Sequence, residues 1–425
     1  MKPFAERVRT FALASLGCRA NQEELEALRA QLLAQGAREV RYPGPADVVI
    51  VNTCAVTASA QAQSRQAVRR AGRGRPVCLI VTGCGAQLDP AQFASLPGVS
   101  RVVGNRGKAG IVASIAAAPL EPRPGSEVEI DWTEDASLTG FLRRIGPAAP
   151  RHTRALLKVQ DGCDSNCAYC IVPRLRGRPV SRDPDEVVAE AERLAASGTR
   201  EIVLTGVNLG LYGRGGAGLA GLLDRLGQLP EGVRIRLSSL EPMTVDDAFL
   251  ERFAGSARIC AHLHLPLQSG DDRVLARMGR PYDAAGFAAL VARITLARPR
   301  LGLGVDVIAG FPGETEAAFA ATLALLDALP ITYLHAFGYS PRPGTPAAGM
   351  PDPVPAPVRR ARVRALRELD ARLRRRFRER LRGTRAEVLV ERLHDGEFEG
   401  MSAEYVRVRG RREGVAPRDL IEVEL

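Results

Sequence analysis

Long hydrophobic runs are missing from the sequence, and no stretch of apolar residues is long enough to span a bilayer. No internal repeat with a period of roughly 20–50 residues is present either. These absences argue against an integral membrane protein and against a solenoid. The first residues resemble a short export signal, but the apolar stretch 11–17 is at the lower limit for one, and Ser15 stands where a lipid-attachment signal usually has leucine. We interpret this stretch as a strand that leads into a helix, and we expect a cytoplasmic protein.

Aromatic and acidic residues are both in short supply. Aromatic residues make up 5% of the 425 residues, and 48 acidic residues face 59 lysines and arginines, which gives a net charge of +11. Hydrophobic residues still reach 45%, so the chain can bury proper cores, and its length predicts two to four domains. The positive charge suits a polyanionic partner, although an inert basic surface would give the same total.

The distribution of the charge favours the polyanion. Residues 358–382 contain 12 arginines and 3 acidic residues, a net charge of +9, and apolar residues recur along one side of this predicted helix from Val363 to Leu381. The apolar seam predicts packing on protein, with the arginines facing outward. Most charge runs are solvated helix faces, and that alternative stays open. The density of arginine favours contacts with phosphates, for which we single out Arg374, Arg375 and Arg378.

Strand and helix patterns alternate in the first third of the chain. The segments FALASLG, ADVVIVNT, PVCLIVTG and VSRVVG are predicted strands, with helical patterns between them. This order predicts an α/β domain over residues 8–122, built on a mostly parallel, Rossmann- or flavodoxin-like sheet with helices on both faces. Proline and glycine then become frequent around residues 118–125 and 146–150, which indicates a linker.

A second series of strands and helices predicts a central domain over residues 149–380. Its predicted strands are RALLKVQDG, EIVLTG, VRIRLSS, ICAHLHLP, GLGVDVIAG and TYLHAFGYS. About six such units predict a full or partial parallel (β/α) barrel. A proline-rich segment and the arginine helix follow. Residues 383–425 alternate apolar and polar residues and predict a small antiparallel β-barrel domain.

Three cysteines lie on a short loop with the spacing C-x-x-x-C-x-x-C, namely Cys163, Cys167 and Cys170. The loop follows a predicted strand, at the end where barrel active sites lie. Three thiolates can hold three irons of a [4Fe–4S] cluster. The fourth iron is then open to chelate the amino and carboxylate groups of S-adenosylmethionine. A zinc loop would need a fourth ligand, and none is evident nearby.

Three further cysteines, Cys18, Cys54 and Cys84, each follow a predicted strand. Neighbouring strand ends converge at one edge of a parallel sheet, so we expect these thiols to meet in space. Three buried small residues would show the same spacing. Cys78 and Cys260 lie inside predicted strands, and we interpret both as packing residues.

His262 and His264 alternate along one predicted strand and should point to the same face. A metal-binding pair is one interpretation. We favour polar residues that line the barrel near the substrate, and we do not predict that they are metal ligands.

The sequence resembles the methylthiotransferase family of the radical S-adenosylmethionine superfamily. The resemblance rests on VQDGCDSNCAYCIVPRLRGRPVSR, LTGVNLGLYG, RIRLSSLEP, HLHLPLQSGDDRVLARMGRPY, VDVIAGFPGETE and YSPRPGT, and on SLGCRANQEE, VNTCAVTASAQAQSR and VTGCGAQ in the first domain. It implies two [4Fe–4S] clusters, one on each cysteine trio, with sulfur at the first and S-adenosylmethionine at the second. It also implies a TRAM-like RNA-binding domain at residues 383–425. The residues implied to line the cofactor are Gly206, Glu241, Gly310, Gly313 and Glu314.

Within this family, GCRANQEE, LTGVNLGLYG and RLSSLEP are most similar to the class that modifies threonylcarbamoyladenosine. That class implies methylthiolation of carbon 2 of this nucleoside at position 37 of tRNA, with two molecules of S-adenosylmethionine. The alternatives within the family are isopentenyladenosine in tRNA and an aspartate of a ribosomal protein. A non-catalytic RNA-binding iron–sulfur protein is an alternative of a different class.

A threonylcarbamoyl group ends in a carboxylate, so its pocket needs a cation or several hydrogen-bond donors. The candidate cations are Arg174, Arg176, Arg178 and Arg280. The expected partners are tRNA and an electron donor such as flavodoxin or ferredoxin. Neither a membrane nor DNA is an expected partner.

Overall fold

A computed structural model describes residues 4, 8–117, 125–131 and 151–425. The described residues form two compact units, the first drawn from residues 1–151, 160–165 and 170–182 and the second from 152–159, 166–169 and 183–425. The predicted linker lies outside the described residues, apart from Gly125. Within the described part of the chain, no helix has both the length and the hydropathy that a bilayer-spanning segment needs.

The first unit is built on a six-stranded sheet in which every neighbouring pair of strands is parallel. The order is β2-β1-β3-β4-β5-β6, with β1 Thr10–Ser15, β2 Arg38–Glu39, β3 Val48–Thr53, β4 Cys78–Gly83, β5 Arg101–Val103 and β6 Glu127–Glu129. The β3 and β4 strands are buried along their whole length, as central parallel strands covered on both faces should be. The predicted parallel sheet is confirmed.

Five helices of the first unit connect these strands: α1 Arg19–Ala34, α2 Ala58–Arg73, α3 Cys84–Leu88, α4 Pro90–Ala94 and α5 Ile111–Ala117. Thr57 caps α2 by accepting a hydrogen bond from the backbone N–H of Ala60. The unit also holds α6 Val172–Arg176 and a two-stranded antiparallel ladder of β8 Gln160–Asp161 with β9 Val180–Ser181.

The sequence did not predict β6, which lies beyond the expected domain end at residue 122. Its side chains are exposed, and two of its three residues are glutamates, so it carries no apolar signal. The strand is held by parallel pairing with β5, an interaction between residues far apart in the chain. The three proposed domain boundaries stay a prediction.

The second unit contains a partial (β/α) barrel. Two three-stranded parallel sheets, β7-β10-β11 and β12-β13-β14, are joined by a parallel bridge between Ile235 and Ile259. The strands are β7 Arg154–Lys158, β10 Glu201–Thr205, β11 Arg234–Leu237, β12 His262–Gln268, β13 Gly302–Ala309 and β14 Tyr333–Gly338. The helices between them are α7 Pro184–Ala196, α8 Gly218–Leu226, α9 Asp247–Gly255, α10 Asp272–Arg277, α11 Ala284–Ala297 and α12 Glu316–Ala328. The predicted barrel is therefore confirmed in its partial form.

The two faces of the barrel strands differ in chemistry. Leu263 and Leu265 of β12 and Val305 of β13 belong to the large apolar core shared with the helices. Because side chains alternate along a strand, His264 and Asp306 point the other way, toward the barrel interior. The interior is therefore polar.

The arginine helix is α13, Ala356–Leu381. Leu366, Leu369 and Leu373 bury its apolar seam in the barrel core, as predicted. The prediction that the arginines face outward is wrong for Arg362, which is 6% exposed and donates a 2.6 Å hydrogen bond to Glu314. Glu314 is itself buried, so an ion pair stabilises both charges away from water.

The chain ends in a four-stranded antiparallel sheet, which confirms a small antiparallel β-domain. Its order is β17-β16-β15-β18, with β15 Arg385–His394, β16 Glu397–Ser402, β17 Arg407–Arg411 and β18 Leu420–Glu424. This sheet belongs to the same compact unit as the barrel.

Two buried arginines of β11 hold the C-terminal sheet against the barrel. Arg234 donates a 2.8 Å hydrogen bond to the carbonyl of Met401, and Arg236 donates a 2.9 Å bond to that of Ser402. Both guanidinium groups also bind Glu201 of β10, at 2.7 and 2.6 Å. Burial opposes ionisation of Glu201, but Arg236 and Arg234 outweigh it and lower the pKa of this carboxyl to about 2.

We predict that Glu201→Gln lowers the free energy of unfolding by about 3–5 kcal/mol, because Arg234 and Arg236 then stay buried without their counter-charge. Anaerobic urea unfolding measures the change. Glu397→Gln is the control: Glu397 is exposed and pairs with Arg411 on the surface, so the change should be within about 0.5 kcal/mol.

The same interaction has a pH signature. Because the pKa of Glu201 is lowered from 4.5 to about 2, its contribution to stability is complete above pH 4.5 and is lost as the pH falls toward 2. The wild-type and Glu201→Gln proteins should therefore converge in stability over this range. A constant difference in stability over the range would contradict the assignment.

Candidate functional site

The first cysteine trio lies at the carboxyl edge of the six-stranded sheet. Cys54 and Cys84 directly follow β3 and β4, and the last residues of these strands, Thr53 and Gly83, are paired in the ladder. Cys18 follows β1 by three residues. Cys54 and Cys84 are buried, and Cys18 is exposed as a whole residue although its thiol lies among the neighbouring groups of the edge.

The three thiols are near enough to influence one another's pKa. Burial is the main cause that raises the pKa of Cys54 to about 11, and the neighbouring Cys84 and Cys18 thiols contribute in the same direction. The structure therefore brings together the three cysteines that the sequence places 36 and 30 residues apart. The scattered trio converges as predicted.

Two glycines allow the strand ends to approach this closely. Gly17 has φ +90°, and a Cβ there would lie 2.6 Å from the Sγ atom of Cys54. Gly83 has φ +97°, and a Cβ there would lie 2.5 Å from the carbonyl oxygen of Thr53. A side chain at either position would push the cysteines apart, and both backbones occupy the left-handed region that favours glycine.

A buried ion network lies next to this trio. Arg176 of α6 donates hydrogen bonds of 2.9 Å to Glu24, 2.9 Å to Asp161 and 2.6 Å to Asn21. Lys108 pairs with the other oxygen of Glu24. Burial raises the pKa of the Cys18 thiol, and the positive charge of Arg176 is the largest influence in the opposite direction.

This network removes Arg176 from the cations available to a substrate. Its side chain is 2% exposed and is bound to two carboxylates, so the role of Arg176 is structural. The sequence shows Asn21 and Glu24 three residues apart in NQEE, on one face of α1. It does not show that their partner lies more than 150 residues away. Arg174 and Arg178 are exposed.

The second trio lies on the loop that follows β8. In the first unit, the backbone N–H of Cys163 donates to the carbonyl of Gly177 at 3.0 Å, and the N–H of Ser165 donates to the Cys163 Sγ at 3.4 Å. Cys170 belongs to the same unit, two residues before α6. Cys163, Cys167 and Cys170 are all of intermediate exposure.

Cys167 belongs to the second unit, where Arg280 contacts it. The guanidinium of Arg280 donates a 3.1 Å hydrogen bond to the Cys167 Sγ and also pairs with Glu241. Burial raises the pKa of Cys167, while Arg280 lowers it. Arg280 is thus committed to two of the predicted site residues, a role that the sequence did not reveal.

The predicted cofactor-lining residues all follow barrel strands at their carboxyl ends. Gly206 comes directly after β10, Glu241 follows β11, and Gly310 comes directly after β13. Gly310 and Gly313 have φ +76° and +80°, so the turn after β13 needs glycine at both positions.

Glu314 is turned back onto its own loop. It accepts a 2.6 Å hydrogen bond from the N–H of Gly310, and Arg362 binds the same carboxylate. Burial raises its pKa, and these two donors act in the opposite direction. Glu314 therefore shapes the turn and does not present a free carboxylate.

Five exposed arginines of α13 form a stripe on the side away from the apolar seam. At 3.6 residues per turn they lie within ~80° of one another and extend over about 27 Å of helix. The arginine stripe consists of Arg360, Arg364, Arg367, Arg375 and Arg378. None of the five forms an ion pair with a described residue.

Arg374, also predicted to bind RNA, lies beside the stripe and is partly buried. It donates to Asp370 at 2.9 Å and lies over the ring of Tyr333 at 4.9 Å. Its charge is therefore partly neutralised, unlike the charges of Arg375 and Arg378.

Two family models match two separate regions of the chain, and each region contains one of the cysteine trios. Residues 157–326 match the Radical SAM superfamily, and residues 10–104 match a family described as "Uncharacterized protein family UPF0004". The second match contains Cys18, Cys54 and Cys84, and the first contains Cys163, Cys167 and Cys170.

Curated relatives align over almost the whole chain. The threonylcarbamoyladenosine tRNA methylthiotransferase MtaB of Bacillus subtilis is 38% identical over 94% of this chain and 90% of its own length. The tRNA-2-methylthio-N(6)-dimethylallyladenosine synthase of Erythrobacter litoralis is 35% identical over 100% of this chain and 96% of its own length.

A solved structure shares the fold. The radical S-adenosylmethionine methyltransferase TsrM from Kitasatospora setae, with cobalamin and a [4Fe-4S] cluster bound, superposes with a TM-score of 0.62. The match covers 80% of this chain and 77% of that one at 19% identity, so it supports the architecture alone.

Proposed function

This chain belongs to the family of radical S-adenosylmethionine tRNA methylthiotransferases, and we propose that it adds a methylthio group to carbon 2 of N6-threonylcarbamoyladenosine at position 37 of tRNA. The observation that supports this choice of nucleoside is the 38% identity, over nearly the full length, to an enzyme named as a threonylcarbamoyladenosine tRNA methylthiotransferase. The 35% identity to a dimethylallyladenosine enzyme makes isopentenyladenosine the second candidate. The likeness to tRNA enzymes over nearly the full chain does not favour a ribosomal-protein aspartate or a non-catalytic RNA-binding role.

We assign one [4Fe–4S] cluster to Cys18, Cys54 and Cys84 and a second to Cys163, Cys167 and Cys170. Each group offers three thiols and leaves one iron without a protein ligand, and sulfur is the donor that iron–sulfur clusters use. The glycines before Cys18 and Cys84 leave the space that a compact trio needs. When bound, these groups supply the electron that cleaves S-adenosylmethionine and hold the sulfur that is transferred.

The residues around the loop cysteines orient the second S-adenosylmethionine site. Gly206, Gly310 and Gly313 allow the cofactor to approach the backbone at the strand ends. Glu241 offers a carboxylate held by Arg280, which also contacts the Cys167 Sγ. The same guanidinium therefore fixes a cluster ligand and a cofactor-lining residue relative to each other.

The arginine stripe contacts tRNA through phosphates. Its arginines have no competing acidic partner among the described residues, and phosphate contacts position a nucleic acid without reading its sequence. The C-terminal sheet is the proposed RNA-binding β-domain. A flavodoxin or ferredoxin is the proposed electron donor, and the cytoplasm is the proposed compartment.

We predict about eight irons per chain after anaerobic reconstitution of the wild type. The triple Cys→Ala variant at Cys163, Cys167 and Cys170 should retain about four, and so should the triple variant at the other trio. Cys260→Ala is the matched control, because Cys260 is buried in the barrel and should leave the iron content at about eight. A wild-type plateau at four irons would refute the two-cluster assignment.

We predict that replacing Arg367, Arg375 and Arg378 with Gln weakens tRNA binding without changing which tRNAs are chosen. Each lost phosphate contact should reduce the slope of log affinity against log salt by about 0.7–0.9. The control is Arg376→Gln, since Arg376 is paired with Asp327 at 3.0 Å and lies off the stripe. An unchanged slope in the triple variant would mean that the stripe faces solvent alone.

We predict that the enzyme acts on tRNA bearing threonylcarbamoyladenosine and rejects tRNA bearing isopentenyladenosine. A pocket whose donors bind a carboxylate and a hydroxyl leaves these donors unpaired beside a hydrocarbon, so kcat/KM should differ by about 10⁴. Mass spectrometry of the methylthio nucleoside measures both reactions, with unmodified tRNA as the control. Product from the isopentenyl tRNA alone would change the substrate and leave the family assignment intact.

A further inference from the structure

We propose that His264, Asp306 and His335 form a binding site for a divalent transition metal ion of the zinc class. The three residues line the interior of the barrel in the second unit and include none of the six cysteines assigned above. The proposed methylthiotransferase function does not require this site.

The three side chains come from three neighbouring parallel strands, β12, β13 and β14. Asp306 and His335 are paired in the ladder, and His264 is paired with Gly304, two residues before Asp306. A side chain at Gly304 would occupy the space of the Tyr333 ring and the His264 ring. Glycine at this position thus allows the histidines to gather around the carboxylate.

The three candidate ligand atoms lie close together. The Nε2 atom of His264 is 2.8 Å and the Nδ1 atom of His335 is 3.3 Å from the same oxygen of Asp306. All three ligand atoms lie within 4.8 Å of one another. Tetrahedral zinc with bonds of 2.0–2.1 Å keeps its ligand atoms about 3.3 Å apart. At that spacing the Nε2 atom of His264 would be about half an ångström farther from the Asp306 oxygen, while the Nδ1 atom of His335 is already at the required distance from it.

The ring of His264 is also oriented as metal-binding histidines usually are. Its second nitrogen, Nδ1, is 3.0 Å from the hydroxyl of Tyr333, which leaves Nε2 directed at Asp306. A metal-bound histidine typically forms a hydrogen bond through its other ring nitrogen, which fixes the ring before the ion arrives. The Tyr333 hydroxyl is held in turn by His262 at 2.8 Å.

The site is open to solvent on one side. The side chain of His335 is 47% exposed and that of Asp306 is 22% exposed, while His264 is buried at 6%. Three protein ligands would leave a fourth position open for water or for an oxygen of a bound molecule, the arrangement of catalytic rather than structural zinc sites. Two imidazoles and a carboxylate suit zinc, cobalt, nickel or ferrous iron, not the thiolate-preferring metals.

The test is equilibrium dialysis of the reconstituted holoenzyme against ZnCl₂ under anaerobic conditions, with zinc and iron counted per chain. Wild type whose iron content has reached its maximum should bind one zinc per chain. Zinc K-edge X-ray absorption should show ligand atoms at 2.0–2.1 Å from the zinc, and not at the 2.3 Å that is typical of sulfur. His335→Ala should raise the Kd for zinc by about a hundredfold or more. Its side chain is half exposed, so folding should be preserved, and its iron content should equal that of wild type.

Two further variants separate metal binding from a structural role. Tyr333→Phe removes the hydroxyl that orients His264 and should weaken zinc binding by about 10–100-fold. His394→Ala is the matched control, because this histidine lies exposed in the C-terminal sheet. The Kd of this variant for zinc should equal that of wild type. The proposal is overturned if wild type binds no zinc, if His335→Ala binds it equally well, or if sulfur dominates the zinc spectrum. Any of these results would identify the three residues as a hydrogen-bonded triad without a metal.

Discussion

Hydrogen bonding between parallel strands in register forces neighbouring strands to end at one edge of their sheet, and the first cysteine trio and the cofactor-lining residues that follow the barrel strands depend on this constraint. In the six-stranded sheet, pairing of Thr53 with Gly83 places Cys54 and Cys84 side by side. In the barrel, the same pairing aligns the residues that follow β10, β11 and β13. Backbone pairing therefore determines where these residues lie in both places.

Buried and exposed arginines have different roles in this chain. Arg176, Arg236, Arg280 and Arg362 are each bound to at least one carboxylate and are nearly inaccessible to solvent. The arginine stripe has no such partners. The net charge of +11 thus includes arginines that are balanced inside the protein, and the field that a polyanion meets comes from the exposed ones.

Features that depend on local pattern could be predicted from the sequence, and features that depend on distant pairing could not. The apolar strands before Cys54 and Cys84 are visible as runs of valine, isoleucine and leucine, so the meeting of the cysteines followed from them. The pairing of Arg176 with Glu24 joins residues 152 positions apart and leaves no periodic signal. His264, Asp306 and His335 were likewise not grouped, because their distance depends on the register of three strands.

The joint between the barrel and the C-terminal sheet has an evolutionary consequence. Arg234 and Arg236 bind backbone carbonyls of Met401 and Ser402, and every residue type at these positions provides the same carbonyl. The side chains at positions 401 and 402 can therefore change without loosening these two contacts, whereas Glu387, Glu391 and Glu404 pair with arginines through their own side chains. The two arginines cannot drift in the same way, since lysine lacks the planar fork that reaches a carboxylate and a carbonyl at once. At these two contacts, sequence divergence in relatives should accordingly be concentrated at positions 401 and 402, while Arg234 and Arg236 stay fixed.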